Sequence, residues 1–166
     1  WTGTGSSGGA LSGPGGLALS NDGAELFVAD TGNHRILVVS TEDWSLLQEI
    51  GSGPGAGPGQ LDSPNDVDVW WGGMVEPADG LLFVADTGND RVVSYRFDTG
   101  SGEWRYDHAW GSSGDAVGYF SAPSGIALDH HQMKVWVADN GNDRIQVFEQ
   151  DGTPLSSFGV SGSGPG

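Results

Sequence analysis

The sequence contains no cysteine and few basic residues. Without Cys, neither a disulfide bond nor a thiolate metal site can form. Six Lys and Arg stand against 22 Asp and Glu, so the net charge of −16 makes the chain a poor partner for phosphate backbones and anionic lipids. No apolar run approaches the roughly 20 residues that a membrane-spanning helix needs. We therefore expect neither nucleic-acid binding nor membrane insertion.

The remaining composition is that of a small folded domain rich in turns. Hydrophobic residues make up 36% of the chain and seven residues are Trp, which is enough for a buried core. Thirty Gly and eight Pro indicate many tight turns and hence many short strands. The acidic surface keeps such a chain in solution, and it also attracts basic partners or calcium. Acidity with a single Lys favours an extracellular or cell-surface setting without assigning one.

One ten-residue stretch occurs three times in nearly the same form. Its copies are VADTGNHRIL at 28–37, VADTGNDRVV at 84–93 and VADNGNDRIQ at 137–146. Their Asp residues lie 56 and then 53 residues apart. Each copy joins two apolar runs through a turn, with one short strand before it and another after it. Four short antiparallel strands per repeat predict an all-β fold of three four-stranded β-propeller blades.

The repeated motif also predicts how its own turn is held. Gly32 and Asn33 tolerate the positive φ that tight hairpins require, so we expect them to form the turn. Asp30 can accept turn N–H groups, and Arg35 lies across the hairpin within its reach. The equivalent pairs in the other copies are Asp86 with Arg91 and Asp139 with Arg144. We expect these pairs to be structural rather than catalytic.

The motif resembles the signature of NHL repeats. VADTGNHRI is similar to the core of that signature, and GPGQLDSPNDVDV at 57–69 is similar to the Gly-rich, Pro-containing start of such a repeat. The resemblance covers nearly the whole chain in three in-phase copies. It implies a propeller of NHL blades, usually six to a ring. The repeats here are longer than the family's usual blade, and three of them cannot close such a ring.

The phase of the repeats predicts how the chain is divided. We expect residues 1–13 to end a preceding blade and residues 160–166 to lead into a following one. The three blades between them are predicted at 14–51, 52–111 and 112–159. Sheet faces left open at both ends would expose apolar surface. We therefore expect further blades as partners, either from the same parent chain or from a second copy.

The second repeat differs from its neighbours by two insertions. Residues 70–80 lengthen the loop between its first two strands, and residues 98–104 lengthen the loop between its last two. In an up-and-down blade both loops lie on the same side. They carry Trp70, Trp71, Met74 and Trp104. Such side chains are typical of interfaces and predict a contact surface for a protein or peptide. The alternative is that Trp70 or Trp71 packs into the blade and that Trp104 covers an edge.

Two carboxylates lie on the innermost strand of the second repeat. Asp66 and Asp68 are two residues apart, so both face the same side of that strand. Oxygen ligands of this kind suit Ca²⁺, the one cofactor that the sequence suggests. The Asp-rich calcium-loop pattern with a closing Glu is absent. The alternative is therefore that both carboxylates are solvated or cap a turn.

Catalytic patterns are weak in this sequence. Propellers that act as lyases or hydrolases place His or carboxylate metal ligands on several innermost strands, but no His lies on these three strands. No nucleophile motif is visible either. The sequence favours a non-catalytic protein-interaction or scaffold module. The alternative is a lyase or hydrolase whose metal site on the central axis lies partly outside this segment.

Overall fold

The structure consists of antiparallel β-sheets with four strands each. It is a computed structural model and describes residues 9–71 and 80–159. Within these ranges the strands are Leu17–Leu19 (β1), Glu25–Asp30 (β2), Arg35–Ser40 (β3), Leu46–Ile50 (β4), Pro64–Trp70 (β5), Leu81–Asp86 (β6), Arg91–Asp98 (β7), Glu103–Trp110 (β8), Pro123–Asp129 (β9), Lys134–Asp139 (β10), Arg144–Glu149 (β11) and Pro154–Phe158 (β12). Consecutive strands are neighbours in each sheet, so the sheets are β1–β4, β5–β8 and β9–β12. The predicted all-β fold of three four-stranded blades is confirmed.

The three sheets, called blades 1, 2 and 3 in chain order, have equivalent registers. The matching pairs between their first two strands are Leu17 with Val28, Val67 with Val84, and Ile126 with Val137. Each residue can therefore be compared with its counterparts in the other blades. The segments predicted to end a preceding blade and to lead into a following one lie mostly outside the described residues. None of the described helices is long and apolar enough to cross a membrane.

A tight turn joins the second and third strands of every blade. In blade 1 it is a single 3-10 turn over Thr31–Asn33. The next residue of each blade has left-handed backbone, namely His34 (φ 57°), Asp90 (φ 51°) and Asp143 (φ 52°). The prediction that Gly32 and Asn33 would carry the positive φ is wrong, because the 3-10 turn places the left-handed residue after them. His and Asp adopt this conformation more readily than most side chains.

Gly32 is required for a different reason. A Cβ atom on Gly32 would lie 2.5 Å from Ser12 Oγ and 2.8 Å from the Ser12 carbonyl oxygen. The Gly32 N–H donates to that same carbonyl oxygen at 2.8 Å. The segment that leads into the blade thus passes directly over the turn, and a close backbone approach of this kind favours glycine. Gly141 has the same relation to Ser121 in blade 3.

Most of the core lies between the blades, and a smaller buried cluster of Val28, Leu37 and Val39 belongs to blade 1 alone. Every residue of β6 is buried, because blade 2 is covered on both faces. One apolar cluster, between blades 1 and 2, contains Phe27 and Leu82, and a second, between blades 2 and 3, contains Phe83 and Phe148. This double coverage explains the continuous apolar runs of the sequence.

Candidate functional site

Polar side chains at the turn end of blades 1 and 2 bind the backbone of the blade that follows. His34 Nδ1 accepts a hydrogen bond from the Ser63 N–H at 3.0 Å. Asp90, the counterpart of His34, accepts one from the Ala122 N–H through Oδ1 at 2.7 Å. One junction uses an imidazole nitrogen and the other a carboxylate oxygen. The junction therefore requires an acceptor rather than a negative charge.

A second hydrogen bond joins the same blades beside the first. Thr31 Oγ1 donates to the Pro64 carbonyl oxygen at 2.8 Å, and Thr87 Oγ1 donates to the Pro123 carbonyl oxygen at 2.6 Å. The counterpart in blade 3 is Asn140, whose side-chain amide can also donate. Each junction thus has one acceptor and one donor on the turn of the earlier blade.

The two carboxylates suggested as calcium ligands bind the backbone of blade 3. Asp66 Oδ2 accepts the Ile126 N–H at 2.9 Å, and Asp68 Oδ2 accepts the Leu128 N–H at 2.8 Å. Their other oxygens accept N–H groups of β5 itself. Burial raises the pKa of Asp66 despite these hydrogen bonds, and the charge of Asp68 adds to the rise. In the described part of the chain, no three metal-ligating side chains are grouped to hold an ion.

Trp104 is buried between blades 1 and 2. It is 4% exposed, and its ring meets Phe27 of blade 1 at 5.4 Å and Trp71 at 5.2 Å in edge-to-face contacts. Gln48 of blade 1 binds both the N–H and the carbonyl oxygen of Trp104 at 2.8 Å. The prediction that Trp104 lies in an exposed loop is wrong, because β7 continues to Asp98 and β8 already begins at Glu103, which leaves only residues 99–102 for the turn.

The other three residues of the predicted contact surface differ in position. Trp71 packs on Phe97 at 4.7 Å, and Trp70 packs against the cluster between blades 2 and 3. Met74 lies outside the described residues. The Trp side chains of this group thus pack at the clusters between blade 2 and its neighbours, which neither interpretation of the sequence described.

The three Asp–Arg pairs lie inside the turns. Nε of the Arg donates to Oδ2 of the Asp in Asp30–Arg35 at 2.8 Å, in Asp86–Arg91 at 2.7 Å and in Asp139–Arg144 at 2.7 Å. All three carboxylates are buried. Each also accepts, through Oδ1, an N–H from the segment that leads into its blade, at 2.7 Å. Both oxygens are therefore used within the blade.

Burial and hydrogen bonding oppose each other at these carboxylates. Burial alone would raise the pKa of Asp30, but hydrogen bonds from the Ser12 N–H, Asn33 and Arg35 outweigh it and lower the pKa. At Asp86, burial outweighs the equivalent hydrogen bonds and raises the pKa. The two pKa shifts differ in direction because Asp86 lies in blade 2, which is covered on both faces, so that burial has the larger effect there.

Ser94, His108 and Asp107 lie together but do not form a catalytic relay. Ser94 Oγ lies 2.8 Å from His108 Nδ1, and Asp107 Oδ2 lies 3.1 Å from the same nitrogen. A nucleophile–base–acid relay needs one partner on each ring nitrogen. His108 Nε2 is instead buried with no hydrogen-bond partner among the described residues, and the ring stacks on Trp110. Ser94 is 1% exposed, so a substrate cannot reach it.

The outer faces of blades 1 and 3 expose apolar side chains. Leu17 of blade 1 is 60% exposed, whereas its counterpart Val67 in blade 2 is 2% exposed. Trp136 of blade 3 is 38% exposed, whereas its counterparts Phe27 and Phe83 are 0% and 1% exposed. The residue types that pack between blades are therefore present at both ends without a covering sheet among the described residues.

We call these two surfaces the front face and the back face. The front face, on blade 1, holds a cavity of about 440 Å³ and is formed mainly by Leu17, Leu26, Val28, Leu37, Val39 and Leu46. Of these, Leu17 is exposed, whereas Val28, Leu37 and Val39 are buried at the bottom of the face. The back face, on blade 3, is formed mainly by Trp136, Ala138, Ile145 and Phe158.

Comparison with known proteins identifies the repeat. The family model named NHL repeat matches residues 11–39 and 120–148. This chain is an NHL-repeat protein. Each match runs from the segment that leads into a blade through the turn and the third strand. Blade 2 lies between the two matched ranges and forms a sheet of the same order.

The curated relatives are much longer than this NHL chain. It is 33% identical over 146 residues to the peptidylglycine alpha-amidating monooxygenase of Rattus norvegicus. The matched region covers 83% of this chain and 14% of that protein. It is 34% identical over 113 residues to NHL repeat-containing protein 3 of Mus musculus. That matched region covers 64% of this chain and 29% of that protein. The NHL chain thus spans less than a third of either relative.

Solved structures show the same fold at low sequence identity. Streptogramin B lyase superposes with a TM-score of 0.61 at 15% identity, over 95% of this chain and 44% of that chain. A periplasmic gluconolactonase of Pseudomonas aeruginosa superposes with a TM-score of 0.58 at 19% identity, over 90% and 40%. This likeness shows that the NHL blades are arranged as in a β-propeller.

Sequence reasoning missed the residues that join the NHL blades. The residue after the turn Asn is His34, Asp90 or Asp143, an acceptor in all three repeats. The sequence shows this pattern, but it does not show that the acceptor joins two blades. The N–H group that it binds lies about 30 residues further along the chain, in the next blade.

Proposed function

We propose that this chain is a non-catalytic NHL scaffold module whose front and back faces bind further propeller blades. The exposure of these faces carries the proposal, since Leu17 and Trp136 are exposed where their counterparts in blade 2 are buried. Covering apolar surface contributes about 25 cal/mol per Å². Another blade would cover each face with the packing that already joins blades 1, 2 and 3.

The polar groups of the described residues support a structural role. The Asp–Arg pairs bind the turns and the leading segments, and Asp66 and Asp68 link two blades. Buried, satisfied polar networks of this kind make a scaffold rigid. The net charge of −16 adds a long-range attraction for basic proteins or peptides. A contact surface around Met74 stays a prediction.

The proposal is tested with Nile red, an uncharged dye that the acidic surface does not repel. We expect the dilute 166-residue chain to bind the dye. Leu17→Glu and Trp136→Lys should each reduce its fluorescence by placing a charge on one face. Val117→Glu is the matched control, because Val117 is 53% exposed in the connection between blades 2 and 3. A chain that binds no dye would contradict the proposal, because its faces would then be covered.

Two structural comparisons favour a second candidate, a propeller lyase or hydrolase with a metal ion on the central axis. The chain shares its fold with a streptogramin B lyase and with a periplasmic gluconolactonase. An axial metal takes ligands from several blades. This chain would offer Asp66 and Asp68, while the described residues hold no group of three ligands. A rise in melting temperature with Ca²⁺ or Zn²⁺ that Asp66→Asn with Asp68→Asn abolishes would support this candidate.

A further inference from the structure

We infer that the cleft between the outer strands of blades 1 and 2 binds a small uncharged molecule that presents a carbonyl oxygen, with an amide as the best-fitting type. The cleft lies between β4 and β8, so both of its walls belong to the described chain. It shares no residue with the front face or the back face. The site therefore goes beyond the proposed function and does not depend on further blades.

The two walls of this cleft are tied together by hydrogen bonds. Gln48 of β4 lines the cleft and binds the N–H and the carbonyl oxygen of Trp104 on β8, both at 2.8 Å. The volume of the cleft is about 320 Å³. Small-molecule sites have volumes of roughly 300–1,000 Å³. Tyr95 and Trp104 form the inner wall, with exposed fractions of 2% and 4%, whereas Tyr106 is 38% exposed at the opening.

Two polar atoms in this lining have no hydrogen-bond partner among the described residues. They are the hydroxyl oxygen of Tyr95 and Nε1 of Trp104, and both atoms are buried. An unpaired buried donor costs stability, and nearly all such groups in folded proteins have a partner. These two groups therefore call for a partner that the described part of the chain does not supply.

The repeat shows that the hydroxyl of Tyr95 is not needed for packing. The counterpart of Tyr95 in blade 3 is Phe148, because Tyr95 pairs with Leu82 and Phe148 pairs with the equivalent residue Val135. Phe148 is fully buried in its own blade junction. The fold thus requires only an aromatic ring at this position, and a bound ligand explains the added oxygen.

The two unpaired groups define the chemistry of the ligand. An indole N–H can only donate a hydrogen bond. Burial raises the pKa of the Tyr95 hydroxyl, which therefore stays protonated and can donate as well. A carbonyl oxygen has two lone pairs and can accept from both donors.

The charge around the cleft favours a neutral ligand. Glu49 lines the cleft and the chain carries a net charge of −16, so an anionic acceptor is repelled. The carboxylate of Glu49 can also accept an N–H of the ligand, which an amide provides. Ile50, Pro58 and the ring of Tyr106 offer apolar contact to the rest of the molecule.

The first experiment titrates the isotope-labelled 166-residue chain with phenylacetamide, a neutral amide that carries an apolar ring. NMR follows the indole N–H signal of Trp104, identified by sequential assignment, and we expect a saturable shift. Phenylacetate has nearly the same shape but is an anion, so it should bind more weakly. Leu17→Glu alters the front face and should leave the titration unchanged, which separates this cleft from the front-face cavity.

Tyr95→Phe tests the hydroxyl directly, because it removes one oxygen and keeps the ring that blade 3 has at this position. We expect the dissociation constant of phenylacetamide to rise about fivefold, as the loss of one hydrogen bond predicts. The melting temperature should equal or exceed that of the wild type, because an unpaired buried group is gone. Tyr119→Phe is the matched control, since Tyr119 is 46% exposed outside the cleft, and it should bind phenylacetamide as the wild type does.

Each alternative result would overturn the inferred site. A Trp104 signal that does not shift, or equal dissociation constants for Tyr95→Phe and the wild type, would mean that the unpaired groups bind no such ligand. Equal binding of phenylacetate would contradict the preference for an uncharged molecule. A Tyr95→Phe chain that melts well below the wild type would show that the hydroxyl already has a partner in the protein. Dye binding at the front and back faces is independent of these results, so the proposed function is tested separately.

Discussion

Asp86 is a single buried residue that accepts three hydrogen bonds. The donors are the Asp62 N–H at 2.7 Å, Asn89 at 2.8 Å and Arg91 at 2.7 Å. Removing the carboxylate would leave these donors buried without an acceptor and one cation without its partner. Such a loss costs far more than an exposed ion pair contributes. The turn motif therefore stabilises each blade, which explains why it is repeated in all three.

Asp86→Ala should lower the free energy of unfolding by about 3–5 kcal/mol, as expected when one partner of a buried ion pair is removed. Urea denaturation followed by Trp fluorescence measures the change. Glu42→Ala is the control, because Glu42 is exposed and should change stability by no more than about 0.5 kcal/mol. Similar midpoints for the two variants would show that the pair contributes little.

Asp30 and Asp86 should respond to acid with opposite signs. The pKa of Asp30 is lowered from 3.8 in the folded chain, so its contribution to stability is present above that value and is lost as pH falls through the folded pKa. The pKa of Asp86 is raised, so its contribution is present at low pH and is lost as pH rises through the folded pKa. The acid unfolding of the chain should therefore depend on Asp30 more than on Asp86.

Melting temperatures measured between neutral pH and pH of about 3 test this difference. Asp30→Asn should flatten the fall in melting temperature on acidification, because the group that binds an extra proton on unfolding is gone. Asp86→Asn should not flatten it. Parallel curves for wild type and Asp30→Asn would show that other carboxylates govern acid unfolding.

Among the elements, β8 helps to join blade 1 to blade 2, together with β5. Trp104 on β8 fills the space beside Phe27, and its backbone is bound by Gln48 of β4. Trp104→Ala should lower the free energy of unfolding by about 3–5 kcal/mol through the cavity it leaves. Tyr106→Ala is the matched control, because Tyr106 is an aromatic residue of the same strand that is 38% exposed.

Urea denaturation distinguishes Trp104 as a core residue from Trp104 as an exposed residue that contacts a partner. A large loss for Trp104→Ala with a small loss for Tyr106→Ala would establish Trp104 as an element of the core. Losses of the same size in both variants would instead place the stabilisation in the β7–β8 hairpin as a whole. Trp104→Phe should recover part of the loss, because its ring can still meet Phe27 edge to face.

Local elements of the fold were predictable from sequence and junction contacts were not. The Asp30 turn and its Arg35 partner lie five residues apart, so composition and spacing define them. Trp104 looked like a loop residue, because nothing in its own segment shows that β7 and β8 extend to residues 98 and 103. The link from Asp66 to Ile126 spans 60 residues, and it depends on how two blades are placed side by side.

At the scale of the whole molecule, the arrangement of blades decides which surfaces remain to be covered. Blade 2 is complete because each of its faces has a partner, and the front and back faces repeat its residue types without one in the described residues. A repeat protein gains stability from each added neighbour contact. Further blades on both sides would cover these faces and give blades 1 and 3 the two neighbours that blade 2 already has.

The response of binding to salt tests the proposed attraction between the acidic chain and a basic partner. The chain carries a net charge of −16, which attracts basic peptides at long range. Raising NaCl from about 0.1 M to 1 M shortens the Debye length from about 10 Å to about 3 Å and screens this attraction. We therefore expect the dissociation constant of a basic peptide, measured by fluorescence anisotropy, to rise as salt rises. A dissociation constant that does not change with salt would mean that apolar contacts, rather than the net charge, hold the peptide.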